Sequence, residues 1–256
     1  MTDKIYTATQ ILSSAYTQQI ATQGEDNHVW LHHKLRHSFN VACYIMDIFT
    51  SEKNIYELFS SEERSLVEST AILHDLGRFY QYKDKKHIPS AIFDHGEEGA
   101  KMLLNNSDFN DKKMLFAIAE HGHYTINYDN PFYTSLSQSE RQKADILVKL
   151  LRDADKFDNL RFFINYDKER IFGLPKGPLS ENVKQDLSAK RTVNISHLQT
   201  ASDGLAVKLS WVNDINFSAT KKKLQDFDFI NKCLTSMIER GASAEDIRFL
   251  QENLSY

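Results

Sequence analysis

Glycine and proline are scarce in this chain, at 9 and 4 among 256 residues. So few turn formers do not suit a sheet-rich protein of this length, and the shortage points to helices. Cysteine is scarcer still. Cys43 and Cys233 lie far apart, form no CxxC pair and offer no disulfide framework, so a reducing cytoplasm is the expected compartment. No apolar run approaches the ~20 residues needed to span a bilayer. The opening MTDKIYTATQILSSAYTQQ lacks the charged-then-apolar order of a secretory leader. Positive charge is not in excess either: a formal net charge of -4 gives no electrostatic reason to expect nucleic acid as the main partner. Internal repeats, low-complexity tracts and a glycine-rich phosphate loop are also missing.

What is present is an ordinary globular balance, 41% hydrophobic and 26% charged, which excludes wholesale disorder. The length fits one large domain, or a domain with an appendage. Helical spacing of apolar residues predicts helices over about 7–22, 32–49, the stretch opened by Ser60 and Glu63, 95–104, 111–121 and a long one from about 139. Ser60 with Glu63 forms a capping-box pattern, and Gly77 reads as the stop of that helix. Residues 80–93 and 125–137 read as loops. GLPKGP at 173–178 is the strongest punctuation in the chain, so the expected division is a core over 1–175 and a helical extension over 176–256 packed on it. Within the extension, 190–198 reads as a helix or a short strand.

Titratable residues recur at the ends of these apolar stripes. His37 opens one, His74 and Asp75 end another, and His95, His121 and Asp153 sit on or beside three more. Imidazoles and carboxylates are costly to bury without partners. A shared pair of divalent cations satisfies all six: Asp75 bridges, His37, His74 and Asp153 serve one ion, and His95 and His121 serve the other. Four imidazoles with two carboxylates suit Mn, Fe, Co, Ni or Zn better than Mg. His123 is the rival of His121. Arg78, one turn past Asp75, reads either as a phosphate contact or as the partner of an acid such as Asp84. Lys156 and His33 are weaker candidates for substrate contact, and a structural role for each is the competing reading.

The pieces LRHSFNVA at 35–42, AILHDLGRF at 71–79, DHGEEGAKML at 94–103, AIAEHGHY at 117–124 and LLRDADKFDNL at 150–160 give the order H…HD…H…H…D. That order resembles the HD-domain superfamily of metal-dependent phosphohydrolases in its six-ligand, dinuclear form, over residues 28–160. The resemblance implies an all-α, HD-domain-like helical bundle with additional C-terminal helices. It implies His37, His74, Asp75 and Asp153 as the defining metal ligands and His95 and His121 as the extra pair. Arg78 stands where some subgroups carry Lys, and no GYP motif follows, which removes support for the cyclic-dinucleotide subgroup. The implied activity is hydrolysis of a phosphate ester or anhydride. The negative net charge and the nearby cations narrow the expectation to a nucleotide or other small phosphorylated compound, with Asp75, Arg78 and Lys156 as catalytic residues and Arg78, Lys156 and His33 contacting substrate. Two other readings stand beside it: a di-iron oxygenase on a similar ligand set, and a metal-bearing sensor or interaction module without turnover. A homodimer through the C-terminal helices is compatible with either.

Overall fold

The computed structural model describes residues 3–83, 86–87, 92–166 and 173–254. The fold is all-α, and the chain divides into two compact units, Met1–Asp155 and Lys156–Tyr256.

In the first unit, α1 covers Asp3–Thr22, α2 Glu25–Ser51, α3 Lys53–Tyr56 and α4 Ser61–Leu73. A 3₁₀ helix, Leu76–Tyr80, follows, and then a two-residue antiparallel pair, β1 Tyr82–Lys83 with β2 Lys86–His87, in which Tyr82 faces His87. The rest comprises α5 His95–Leu103, α6 Lys112–Glu120, the short α7 Pro131–Thr134 and α8 Gln138–Tyr166, which runs on past the division between the units. The expected loop at 80–93 thus holds that small ladder, while 84–85 and 88–91 lie outside the described residues.

Local chemistry explains most of the boundaries. Ser60 accepts from the Glu63 amide while the Glu63 side chain accepts from the Ser60 amide, the reciprocal box expected there. Asp94 and Asp111 cap α5 and α6 by accepting two amides each. α4 packs against α1, α2 and α6, and α5 against both α6 and the 3₁₀ helix. Leu12, Val41, Ile45, Ile48, Phe49, Val67, Leu73, Met114 and Phe116 are fully buried between these helices. Each such side chain contributes about 1.5–3 kcal/mol on removal from water.

Two glycines set how closely the helices approach. A Cβ on Gly77 would lie 2.1 Å from the main-chain oxygen of His95. A Cβ on Gly96 would lie 2.7 Å from the carbonyl oxygens of both Ile118 and Ala119. The first brings the 3₁₀ helix onto the start of α5, and the second brings α5 onto α6. Gly77 therefore acts through close approach, and α4 ends earlier, at Leu73.

In the second unit, α9 covers Glu181–Ser188, α10 Ala201–Ser210, α11 Ser218–Asp226, α12 Phe229–Glu239 and α13 Ala244–Asn253. GLPKGP lies inside this unit and is pinned to it. The Pro175 carbonyl accepts from the Ala201 amide at 2.8 Å, and the Gly177 amide donates to the Arg240 carbonyl at 2.9 Å. The compact units part inside α8, about twenty residues earlier. Residues 190–198 contain a 3₁₀ turn, Ile195–His197, in place of a strand. The Asp186 carboxylate organises that turn by accepting from the Asn194 amide at 3.1 Å and contacting the His197 ring at 2.7 Å.

Candidate metal centre

Five of the His and Asp side chains singled out in the first unit converge, four of them from the ends of helices. His37 projects from the middle of α2, His74 is the C-cap of α4, Asp75 precedes the 3₁₀ helix, His95 opens α5 and His121 is the C-cap of α6. All five are buried. The last turn of a helix leaves carbonyls without intrahelical donors, and two of these histidines use that. His74 Nδ1 lies 2.7 Å from the Ala71 carbonyl, and His121 Nδ1 lies 2.7 Å from the Ile118 carbonyl. A carbonyl only accepts, so Nδ1 carries the proton in both rings. Each Nε2 therefore presents a lone pair.

Those lone pairs face Asp75. Its Oδ2 lies 3.7 Å from Nε2 of His37 and 3.7 Å from Nε2 of His74. Its Oδ1 lies 3.4 Å from Nε2 of His95 and 3.6 Å from Nε2 of His121. One carboxylate thus divides four imidazoles into two pairs. The ring nitrogens of His95 and His121 are 3.2 Å apart.

The fifth sequence piece folds differently from expectation. Asp155 Oδ1 is the atom placed 2.9 Å from His37 Nε2 and 3.8 Å from His74 Nε2. Residues two apart on a helix project about 200° apart, so Asp153 and Asp155 leave different faces of α8. Asp153, expected as the ligand from this piece, is fully buried on α8, and Asp155 is the carboxylate in contact with His37. The sequence pattern could not separate them, because Leu147, Val148, Leu150, Leu151 and Ala154 are all buried and the helix is apolar nearly all round.

The flanking residues are equally informative. His123 Nε2 sits 2.7 Å from Asp94 Oδ2 and its Nδ1 sits 2.7 Å from Glu120 Oε2. Carboxylates accept, so both ring nitrogens donate and neither is left for a metal. The hydrogen bond to Glu120, with that to Asp94, lifts this imidazole from the usual value of 6.5 to about 9. Arg78 Nε lies 3.5 Å from Asp75 Oδ1, and its Nη1 donates to Gln81 Oε1 at 2.7 Å. The alternative partner Asp84 lies outside the described residues. His33 is half-buried, its ring stacked on His37 with centroids 6.0 Å apart. Lys156 donates to the Asp214 carboxylate at 2.5 Å and to its carbonyl at 3.0 Å, both within the second unit.

Two residues went unread in the sequence. Lys34 Nζ lies 2.8 Å from Asp75 Oδ2. It precedes His37 by three positions, so helical spacing places both on one face, but HHKLRH also fits a solvated basic helix start. Arg152, buried on α8, donates through Nη1 to the carbonyls of Glu120, His121 and His123 at 3.2, 3.1 and 2.6 Å. No local pattern marks a guanidinium that caps a distant helix.

Electrostatics match the donor arrangement. Burial pushes the Asp75 carboxyl up, but Lys34, His74, the His121 ring and Arg78 together hold it well below the usual carboxylate range. Burial depresses His74 and, further, His95, where His121, Arg78 and Lys34 add to the effect against Asp75. These shifts favour the neutral form of His74 and His95 and the charged form of Asp75, the protonation states that ligate cations.

The fit to a divalent cation rests on one atom above all. His74 Nε2 is buried with no hydrogen-bond partner. Its lone pair points toward carboxylate oxygens of Asp75 and Asp155, so acceptor faces acceptor unless a cation lies between. A tetrahedral ion with ligands about 2.1 Å away separates neighbouring ligand atoms by about 3.4 Å, close to the spacings around Asp75.

The family comparison agrees with this geometry. Residues 35–160 match the family described as HD domain, a span that contains His37, His74, Asp75, His95, His121 and Asp155. The chain carries an HD domain. Neither a curated protein nor a solved structure matches it. The HD-domain match with its His/Asp cluster suggests divalent-metal binding and the superfamily of metal-dependent phosphohydrolases. Among the described residues, no helix is long and apolar enough to cross a membrane.

Proposed function

We propose that this HD domain is a metal-dependent phosphohydrolase that uses two divalent cations to cleave a nucleotide or another small phosphorylated compound. The observation that carries this reading is the division of Asp75: one oxygen faces His37 and His74, the other His95 and His121. His37, His74, Asp155 and Asp75 Oδ2 would hold one ion, and His95, His121 and Asp75 Oδ1 the other. Divalent cations bound there supply Lewis acidity and lower the pKa of a coordinated water.

The chain's own residues do the rest. Nδ1 bonds to Ala71 and Ile118 lock the His74 and His121 rings, so little reorganisation accompanies the reaction. Burial of the imidazoles keeps bulk water from competing for the same donors. Arg78 presents a forked donor beside Asp75 and suits the equatorial oxygens of a phosphoryl group. Lys156 is left out of this reading because its ammonium is engaged by Asp214. His33, stacked on His37, suits a substrate contact at the edge of the cluster.

Mn or Ni suits the nitrogen-rich donor set, and Mg suits it less. The test is phosphate release by purified protein loaded with Mn or Ni, across a panel of nucleotides and simple phosphate esters, beside metal analysis. Turnover that disappears on chelation and returns with metal is expected. Metal-loaded protein that releases phosphate from none of them overturns the reading.

A further inference from the structure

We propose that Lys34 is a phosphate-contacting residue of this same centre, and that its ammonium occupies the Asp75 carboxylate only until a cation takes that place. The inference rests on the phosphohydrolase reading above.

The surroundings of Asp75 are close to symmetric. Oδ2 has the imidazoles of His37 and His74 and the Lys34 ammonium at 2.8 Å. Oδ1 has the imidazoles of His95 and His121 and Arg78 Nε at 3.5 Å. Each half of the centre therefore has two imidazoles, one Asp75 oxygen and one cation supplied by the chain, and the His37 half has Asp155 Oδ1 as well. Of these two chain cations, Lys34 makes the closer contact.

A metal ion ligated by His37, His74 and Oδ2 would need the space that the ammonium now holds. Two positive charges within a few ångströms of one oxygen repel strongly in a buried setting. Lysine can yield, because its charge rides on a flexible four-carbon stem. The Lys34 side chain is 13% exposed while that of Asp75 is 3% exposed, so the ammonium has a route outward and the carboxylate does not. Among the described residues, Asp75 is its one carboxylate partner. Once released, the ammonium needs a new anion near the His37 side of the centre. A phosphoryl oxygen is the anion the proposed reaction delivers there. With Arg78 on the other side, a phosphoryl group seated over Asp75 meets a donor from each flank, and the class recognised is a phosphate dianion or a terminal phosphate of an anhydride.

The experiment measures binding of inorganic phosphate to the Mn-loaded 256-residue chain by calorimetry, for the native chain, Lys34→Met and Lys34→Arg. Metal content and the melting temperature of the metal-free form are followed in parallel. Expected are full metal content in all three, phosphate affinity weakened about tenfold or more in Lys34→Met, the size of one charge-assisted hydrogen bond, and recovery in Lys34→Arg. Metal-free Lys34→Met melts lower because Asp75 loses its cation. If Lys34→Met does not fold, Lys34→Gln replaces it, keeping a donor without the charge. Unchanged phosphate affinity with a lowered metal-free melting temperature makes Lys34 only a structural partner of Asp75 and overturns the inference. A native protein that binds Mn but neither binds nor releases phosphate overturns the underlying function, and the inference with it.

Discussion

Arg152 Nη1 donates to the main-chain oxygen of His121 at 3.1 Å and, in the same fork, to the oxygens of Glu120 and His123. A buried guanidinium on α8 thus closes the C-terminus of α6, the point from which His121 reaches Asp75. Arg152→Met would leave three carbonyls without this donor and loosen His121. The expected result is about 10–100-fold weaker metal binding at the His95–His121 half, as for other ligand-supporting hydrogen bonds. Titration with metal should then show weakening at the His95–His121 half alone, with binding at the His37–His74 half unchanged.

Asp155 and Asp153 make opposite predictions. Asp155→Asn removes the charge beside His37 and should weaken metal binding by about tenfold or more, consistent with loss of a ligating carboxylate. Asp153→Asn, on another face of α8, should keep the metal content and act through stability. Metal analysis of the two purified variants separates them, and the reverse pattern would sink the assignment of Asp155.

Gly77→Ala should damage both fold and site. The new methyl would lie 2.1 Å from the His95 carbonyl oxygen and 3.0 Å from the Gly99 amide nitrogen, both backbone atoms that cannot rotate away. Overpacking of this kind costs about 1–3 kcal/mol. At roughly 2–4 °C per kcal/mol for a protein of this size, the loss is readable by thermal melting. Metal affinity should fall with it, because the 3₁₀ helix that follows Asp75 and the start of α5 would be forced apart.

His123 gives a pH signature. Its folded value of about 9 lies above the ordinary 6.5, so the folded state binds its proton more tightly than the unfolded chain does. Its stabilising contribution is complete below pH 6.5 and is lost as pH rises through about 9. His74 and His95 are shifted downward, so their effect has the opposite sense: metal-free stability falls as pH drops below the ordinary histidine value of 6.5. The melting temperature of metal-free protein should decline on both sides. In His123→Gln the decline on the alkaline side should disappear; its persistence would remove His123 as the cause.

Much of this protein was legible in one dimension. The helix start at Ser60 was legible from its spacing to Glu63, and Asp94 and Asp111 start their helices by the same local satisfaction of amides. Positions His37, His74, Asp75, His95 and His121 stood out because each interrupts an apolar stripe where an unpartnered polar group is costly. Periodicity could not decide which aspartate of α8 meets His37, since that helix is buried on several sides and two faces carry carboxylates. It could not show that His123 is tied up by Asp94 and Glu120, that Lys34 leans on Asp75, or that Arg152 closes α6. Those contacts join residues 29 or more positions apart, except the local His123–Glu120 pair. The amino-acid order alone determined that the chain is helical and which histidines lack an ordinary reason to be buried. The tertiary structure decided which carboxylates and cations surround them, because that depends on helix rotation and approach, set by packing and by two glycines rather than by any neighbour in sequence.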